Sequence, residues 1–495
     1  MKEKRKIKLM KTRLKIFTSI LSVLACCAFL PTMQAQLPPE IPGNPDGCYP
    51  AFTTAEGCNA LHQLLGGIGN TAVGWYSNFL AGDASFNTAL GAGTLALTSR
   101  TGAGTDGNSN TAVGTAAMIL NLSGSQNVAV GTNALVNNLT GSGNNAVGSF
   151  ALYNNDSSGL GHANGNNAFG NFALTSNVDG TTNSAFGDAA LFSNINAREN
   201  TAIGNAALFN NDSSGNGFAS FNTAVGTGAL FSNTDGGSNT AVGAFALASN
   251  DTGNSNTAVG VSALPVNVSG IENTAVGGAA LFTNMDGSHN IAVGQAALSN
   301  NTSGSNNIAV GEFAGLAVTT SNNVIAIGVQ GQDISDSCFI GNIFNAMAPS
   351  GSAVFIDANN RLGTITSSKR FKEDIKPIGK SSEALLELKP VTFRYKKEID
   401  PAARSQFGLV AEEVEKVNPD LVVRDKEGKP YSVRYDQINA MLLNEFLKEH
   451  HQMQDLKAIV GEQQKQIEAL TAGLQKVSAQ LEVNKPAPQV VANEP

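Results

Sequence analysis

The chain has 495 residues, a formal net charge of -8, only 6% aromatic residues and 53 glycines. Basic residues are nearly absent from its middle: between Gln36 and Thr366 only Arg100, Arg198 and Arg361 occur, and no lysine. So long an acidic, polar stretch excludes nucleic acid and anionic membrane as its partners, and the change after Thr366 to Lys- and Glu-rich sequence marks a domain boundary.

Residues 1–35 read as an export signal. Lys2, Lys4, Arg5, Lys6, Lys8, Lys11, Arg13 and Lys15 form a basic n-region, and Ile16 to Leu30 an apolar h-region, too short for the roughly 20 residues of a bilayer span. Cleavage is expected after Ala35. The stretch Val23-Leu24-Ala25-Cys26 also has the arrangement used for lipid attachment, so Cys26 and a lipid anchor in the envelope form the alternative. Either way the chain leaves the cytoplasm for the cell surface or the extracellular space. No other stretch is long and apolar enough to span a bilayer, so the mature chain is expected to have no transmembrane segment. Cys48, Cys58 and Cys338 remain after cleavage. A Cys48–Cys58 disulfide closing a short loop is one reading, and two small buried residues is the other.

Residues 36–69 form a leader and cap. Pro38, Pro39, Pro42 and Pro45 keep its start extended, and Ala60-Leu61-His62-Gln63-Leu64-Leu65 is apolar enough to close the end of a stack. From residue 70 to 328 one phrase recurs. Asn70-Thr71-Ala72-Val73-Gly74 returns at Asn110, Asn222, Asn239, Asn256 and Asn273, with looser copies between. Its closing glycines are 17 residues apart, except for 23 before Gly114 and 22 before Gly170 and Gly226. A fixed period is the mark of a repeat array. Ala and Val before a glycine make a very short strand, Ala-Leu follows, and Asn, Asp, Ser, Thr and Gly supply the turn. One such coil buries too little to fold alone, so coils must stack. The insertions, two of them built on Asn-Asp-Ser-Ser-Gly (Asn155 to Gly159 and Asn211 to Gly215), read as longer surface loops on one side.

This phrase, spacing and small-residue composition resemble the head repeats of trimeric autotransporter adhesins, the YadA-like head, although the period is longer than that family's usual coil. The resemblance implies a parallel left-handed β-roll, here of 17-residue coils, with three chains side by side and an adhesive role.

A strand at Val324 to Gly328 ends the array, and residues 329–366 are expected to be a β connector, with strands at Cys338 to Gly341 and Val354 to Asp357 and a turn at Asn359 to Gly363. Beyond it the pattern is mixed α and β: a helix over Lys380 to Leu388, a strand over Pro390 to Tyr395, and Gly408-Leu409-Val410-Ala411 running into a helix over Glu412 to Asn418. From Tyr435 one long helix is expected. Its Met453, Leu456, Val460, Gln463, Ile467, Leu470, Leu474, Val477 and Leu481 alternate spacings of 3 and 4, a heptad seam that needs partner helices. Residues 484–495 form a loose tail.

Ser367-Ser368-Lys369-Arg370-Phe371-Lys372-Glu373-Asp374-Ile375, then Gly408 to Val414, Asn418-Pro419 and the terminal heptads resemble the intramolecular chaperone that ends phage tailspikes and fibres of the endosialidase type. The resemblance implies a chaperone domain over 367–445 and a trimeric coiled coil over 446–483. It also implies self-cleavage between Thr366 and Ser367, with Ser367 as nucleophile and Lys372 as its base. Ser368 and Glu412 stand where that family usually has Asp and Gln. A serine hydroxyl attacks once a base takes its proton, and a lysine serves when burial lowers its pKa; five residues of separation require the backbone to turn.

The expected whole is a β-solenoid with a C-terminal α+β domain, a homotrimeric exported fibre that folds under its own chaperone and binds a surface glycan or protein. Two further readings stand beside it: a carbohydrate-active tailspike, which would need paired carboxylates and aromatic platforms on one face, and a structural spacer without cleavage. No cofactor or metal is expected. The five histidines show no ligand spacing, and Gly102 to Gly107 fits an insertion loop better than a dinucleotide motif.

Overall fold

The computed structural model describes residues 52–98, 107–349, 351–357 and 359–483. The export segment with Cys26, and Cys48, lie outside the described residues. The chain divides into two compact units between Ala346 and Met347.

In the first unit every copy of the phrase becomes a strand of three residues, such as Thr223–Val225 and Thr240–Val242, ending where the next glycine turns the chain. Seventeen strands, from Thr54–Glu56 to Cys338–Ile340, form one sheet. Neighbours are parallel and in register, Ala224 on Ala241 and Ala241 on Ala258. The sheet runs one strand beyond each end of the recurring phrase: Thr54–Glu56 pairs with Thr71–Val73, and Cys338–Ile340 with Ile325–Ile327. Gly243 shows why the phrase ends on glycine. Its φ is 133°, and a Cβ there would lie 2.5 Å from the Gly260 carbonyl oxygen, so backbone stacks on backbone.

The alternation of the strand puts its central alanine inside and its two neighbours outside. Ala224, Ala241 and Ala258 are fully buried, and the Ala-Leu pair after each glycine, Ala229-Leu230 for example, completes one continuous apolar column. The first coil departs from this: Ser77 and Asn78 occupy the pair's place, fully buried, and Leu61, Ala72 and Ala81 form a separate cluster at that end.

Much of the remaining interior is asparagine. The first residue of the phrase is buried in coil after coil, and its Oδ1 accepts the backbone N–H of its counterpart in the next coil: Asn239 from Asn256 at 2.9 Å, Asn256 from Asn273 at 2.9 Å. A second column runs through the turns, where Asn250 Nδ2 donates to Asn233 Oδ1 at 2.7 Å and Asn267 Nδ2 to Asn250 Oδ1 at 2.8 Å. These side chains satisfy backbone groups that the three-residue strands leave unpaired, which is the condition for burying them.

The two Asn-Asp-Ser-Ser-Gly insertions are only partly surface loops. Asp156 and Asp212 are fully buried. Asp212 accepts N–H bonds from Asn196, Ala197 and Gly217 at 2.6, 2.9 and 2.7 Å; burial nevertheless pushes its carboxyl above the usual range, and the charge of Asp235 adds to the rise.

The second unit opens with an antiparallel hairpin, Val354–Ile356 against Leu362–Thr364, so part of the expected turn is strand. The helix expected over Lys380 to Leu388 is a 3-10 helix, Gly379–Glu387. Strands Val391–Phe393 and Gln406–Gly408 pair, helix Ala411–Val417 follows, and Val422–Arg424 pairs with Pro430–Val433 before the long helix Tyr435–Val483. Val414, Leu421, Val422, Val433, Ile438 and Met441 form a small core, with Leu385, Leu388 and Leu409 against it. Among the described residues no helix is long and apolar enough to cross a membrane.

Candidate functional site

The site predicted at the head of the C-terminal domain is brought together by one turn. Lys369–Phe371 is a single 3-10 turn, closed by N–H bonds from Phe371 to the Ser368 carbonyl and from Lys372 to the Lys369 carbonyl, at 3.0 and 3.1 Å. It folds the chain back by the five residues that separate the pair, and Lys372 Nζ donates to Ser367 Oγ at 3.0 Å. Thr366 stands next to it, its hydroxyl accepting the Ser368 N–H at 3.4 Å. Thr366, Ser367 and Lys372 are all exposed. In the single chain, then, the hydroxyl and the amine are in hydrogen-bond contact on a solvent-exposed stretch of the domain.

Behind the turn, the domain is fastened to the long helix by polar contacts. Buried Ser382 donates to Glu445, and Asn444 Nδ2 donates to Ser382 Oγ at 2.6 Å and to the Gly379 carbonyl at 3.1 Å. Lys448 bridges Glu445 at 2.8 Å and Glu383 at 3.3 Å; hydrogen bonds from Lys448 and Ser382 hold the Glu445 carboxyl below its ordinary range. In the Gly-Leu-Val-Ala motif the Leu409 N–H donates to the Tyr435 hydroxyl at 3.0 Å. A Cβ on Gly408 would meet that hydroxyl at 3.0 Å and the Phe393 ring at 3.1 Å, so glycine there follows from close approach. The motif anchors strand to helix; it contributes no group to the Ser367–Lys372 pair.

The long helix is docked only at its start, where Ile438 and Met441 are buried. Along the rest, Met453, Leu456, Val460, Ile467, Leu470, Leu474, Val477 and Leu481 are 52% to 70% exposed. Among the described residues nothing covers this stripe. Apolar surface that long and continuous marks an interaction face.

Of the other predicted positions, Cys58 is exposed, which removes its reading as a small buried residue, and Cys338 is exposed as well. Cys48 and Cys26 lie outside the described residues. No group of three His, Cys, Asp or Glu side chains among the described residues is placed to hold a metal ion. Sequence reasoning missed the Ser382–Asn444–Glu445 cluster, in which Ser382 is more than 60 residues from its two partners with no shared motif.

No curated protein and no solved structure matches the chain. Residues 367–423, which open on Ser367 and take in the turn, the 3-10 helix, the first strand pair and the short helix, match the family described as chaperone of endosialidase, and that similarity supports a chaperone role for this domain.

Proposed function

We propose that this chain is an exported homotrimeric fibre of tail-fibre or tailspike type, with a YadA-like solenoid head carrying its ligand. Its C-terminal domain templates assembly and then releases itself between Thr366 and Ser367. The observation that carries this reading is the 3.0 Å contact between Lys372 Nζ and Ser367 Oγ at the residue where the family similarity begins. The bare heptad stripe supports the assembly half: three helices zipped through it would cover surface that one chain leaves in water.

The two halves are linked by solvation. Packing of further copies over the turn would strip water from Lys372, favour its neutral form and make it a base for Ser367. Ser367 Oγ then attacks the Thr366 carbonyl carbon. The hydroxyl proton passes to Lys372 and on to the Ser367 nitrogen as the Thr366–Ser367 C–N bond breaks, and water hydrolyses the resulting Thr366 ester. The products are a head ending in the Thr366 carboxylate and a chaperone beginning with a free Ser367 amine.

The test runs the chain from Gln36 on denaturing gels beside Ser367→Ala and a seam variant, Leu470→Asp with Leu474→Asp. Two bands for the parent, with the smaller beginning at Ser367, and one for Ser367→Ala are expected; identical single bands remove self-cleavage. Crosslinking should capture trimers of the parent and of Ser367→Ala but not of the seam variant, which should stay uncut. A seam variant that cleaves like the parent would break the link between assembly and release.

A further inference from the structure

The two Asn-Asp-Ser-Ser-Gly loops are a natural control for one another. In the first, Asp156 accepts N–H bonds from Thr140 and Gly161 at 2.7 and 2.8 Å; in the second, Asp212 accepts from Asn196 and Gly217 at 2.6 and 2.7 Å. Asn155 Nδ2 donates to the Ala163 carbonyl and Asn211 Nδ2 to the Ala219 carbonyl, at 3.0 and 2.8 Å. Ser158 bonds Asp179 as Ser214 bonds Asp235. One hydrogen-bond skeleton builds both. The wall beside it differs, most in bulk at three positions: Ser142, His162 and Gly165 at the first loop are replaced by Arg198, Phe218 and Phe221 at the second, and Thr140 and Leu160 by Asn196 and Asn216. Gly165 and Phe221 share the left-handed backbone, φ 65° and 63°, so the second loop holds a bulky aromatic in a conformation that favours glycine. The scaffold therefore requires none of the three larger side chains.

Those three side chains line a groove of about 540 Å³ together with Asn196, Asn216 and Ser238. That is the size of an ordinary small-ligand site, roughly 300 to 1,000 Å³. Phe218 and Phe221 are 69% and 50% exposed, and the Arg198 guanidinium lies over the Phe221 ring, 5.8 Å from its centroid. Arg198 is the only Arg or Lys among the described residues of the first unit. No described carboxylate lies within ion-pairing distance of it, in a unit rich in acids.

We propose that this groove binds a carboxylate-bearing sugar residue of an extended polysaccharide. A guanidinium takes a carboxylate through two parallel N–H bonds, and an unpaired one on an acidic surface is selective for it. The exposed phenyl faces offer a flat apolar platform to the C–H face of a sugar ring, and the amides and hydroxyl meet its OH groups. A peptide acid fits less well, because the wall has no aliphatic pocket for neighbouring side chains. The proposal concerns the head alone and does not depend on self-cleavage.

The test substitutes the first loop's own residues, which the scaffold already accepts: Arg198→Ser, Phe218→His and Phe221→Gly in the whole chain, with Ser367→Ala as an uncut companion. Calorimetry would use hexuronate oligosaccharides (galacturonate, alginate and hyaluronate fragments), with neutral glucan oligomers and polyglutamate as comparisons. Parent and Ser367→Ala should bind a hexuronate alike and neutral glucan weakly. Losing the bidentate charge contact in Arg198→Ser should cost about tenfold in affinity or more, Phe221→Gly and Phe218→His several-fold, all without lowering the melting temperature. No binding of any hexuronate, equal binding by the variants, or polyglutamate binding as tightly would each overturn the proposal.

Discussion

Asn239→Ala tests whether the inner asparagine column holds the solenoid together. Asn239 Oδ1 accepts the Asn256 N–H at 2.9 Å and Asn256 Nδ2 at 3.2 Å, and its own Nδ2 donates to the Gly253 carbonyl at 2.9 Å. After truncation the Gly253 carbonyl keeps Asn250 Nδ2 at 2.8 Å, but the buried Asn256 N–H has no other acceptor. An orphaned buried N–H costs about 1–3 kcal/mol, and the hole left by the amide about 1 more, so a loss of about 2–4 kcal/mol is expected. Coils contact only their neighbours, so the damage should be local. Amide hydrogen exchange at Thr240 and Thr257 should speed up about 30- to 800-fold, while exchange several coils away stays slow. Asn205→Ala, at an exposed asparagine, is the control and should change stability by no more than about 0.5 kcal/mol. If the two variants exchange alike, the column is a consequence of stacking and not a cause of it.

Asn78 sits buried in the leucine column with neither its Nδ2 nor its Oδ1 hydrogen-bonded, so Asn78→Leu should raise stability by about 1–3 kcal/mol; a melting temperature that stays level or falls refutes this. Asp333 caps the far end of the stack. Desolvation raises its carboxyl, but the Thr319 hydroxyl and the N–H groups of Thr319, Thr320 and Ser321 outweigh that and hold it well below the usual carboxylate range. A depressed folded-state value adds stability that is present above the unfolded value near pH 4 and lost as pH falls through the folded one. Asp333→Asn should therefore flatten the acid limb of the stability curve and leave neutral pH less stable than the parent; an unchanged acid limb counts against it.

The phrase Asn-Thr-Ala-Val-Gly led directly to stacked coils because its period and its glycine each have one physical use; their parallel sense came from the resemblance to the YadA-like head. The bare seam on the long helix was equally legible, since alternating spacings of 3 and 4 state a face without reference to the rest of the chain. The Ser367–Lys372 contact followed from a resemblance; its geometry needed the turn at Lys369–Phe371, which no local propensity announced. Asn70 and its counterparts are less legible. Asparagine is a common turn residue, and only its strict recurrence at the strand side of the phrase hints at the fixed inward place it takes. Asp156 and Asp212 were hidden for the same reason: isolated acids in polar loops look solvated until the donors aimed at them are seen, two N–H groups and a hydroxyl at Asp156 and three N–H groups at Asp212. The Arg198 groove was invisible because its walls come from turns of successive coils, and only comparison with the plainer first loop exposes it.

The in-register columns have a consequence for how such a head changes over generations. Since alanine meets alanine and asparagine meets asparagine at junction after junction within the array, duplicating or excising one whole inner rung by recombination restores the same junctions on both sides. Length can drift freely while the wall of a single rung diverges, so reach and recognition are inherited as separate traits.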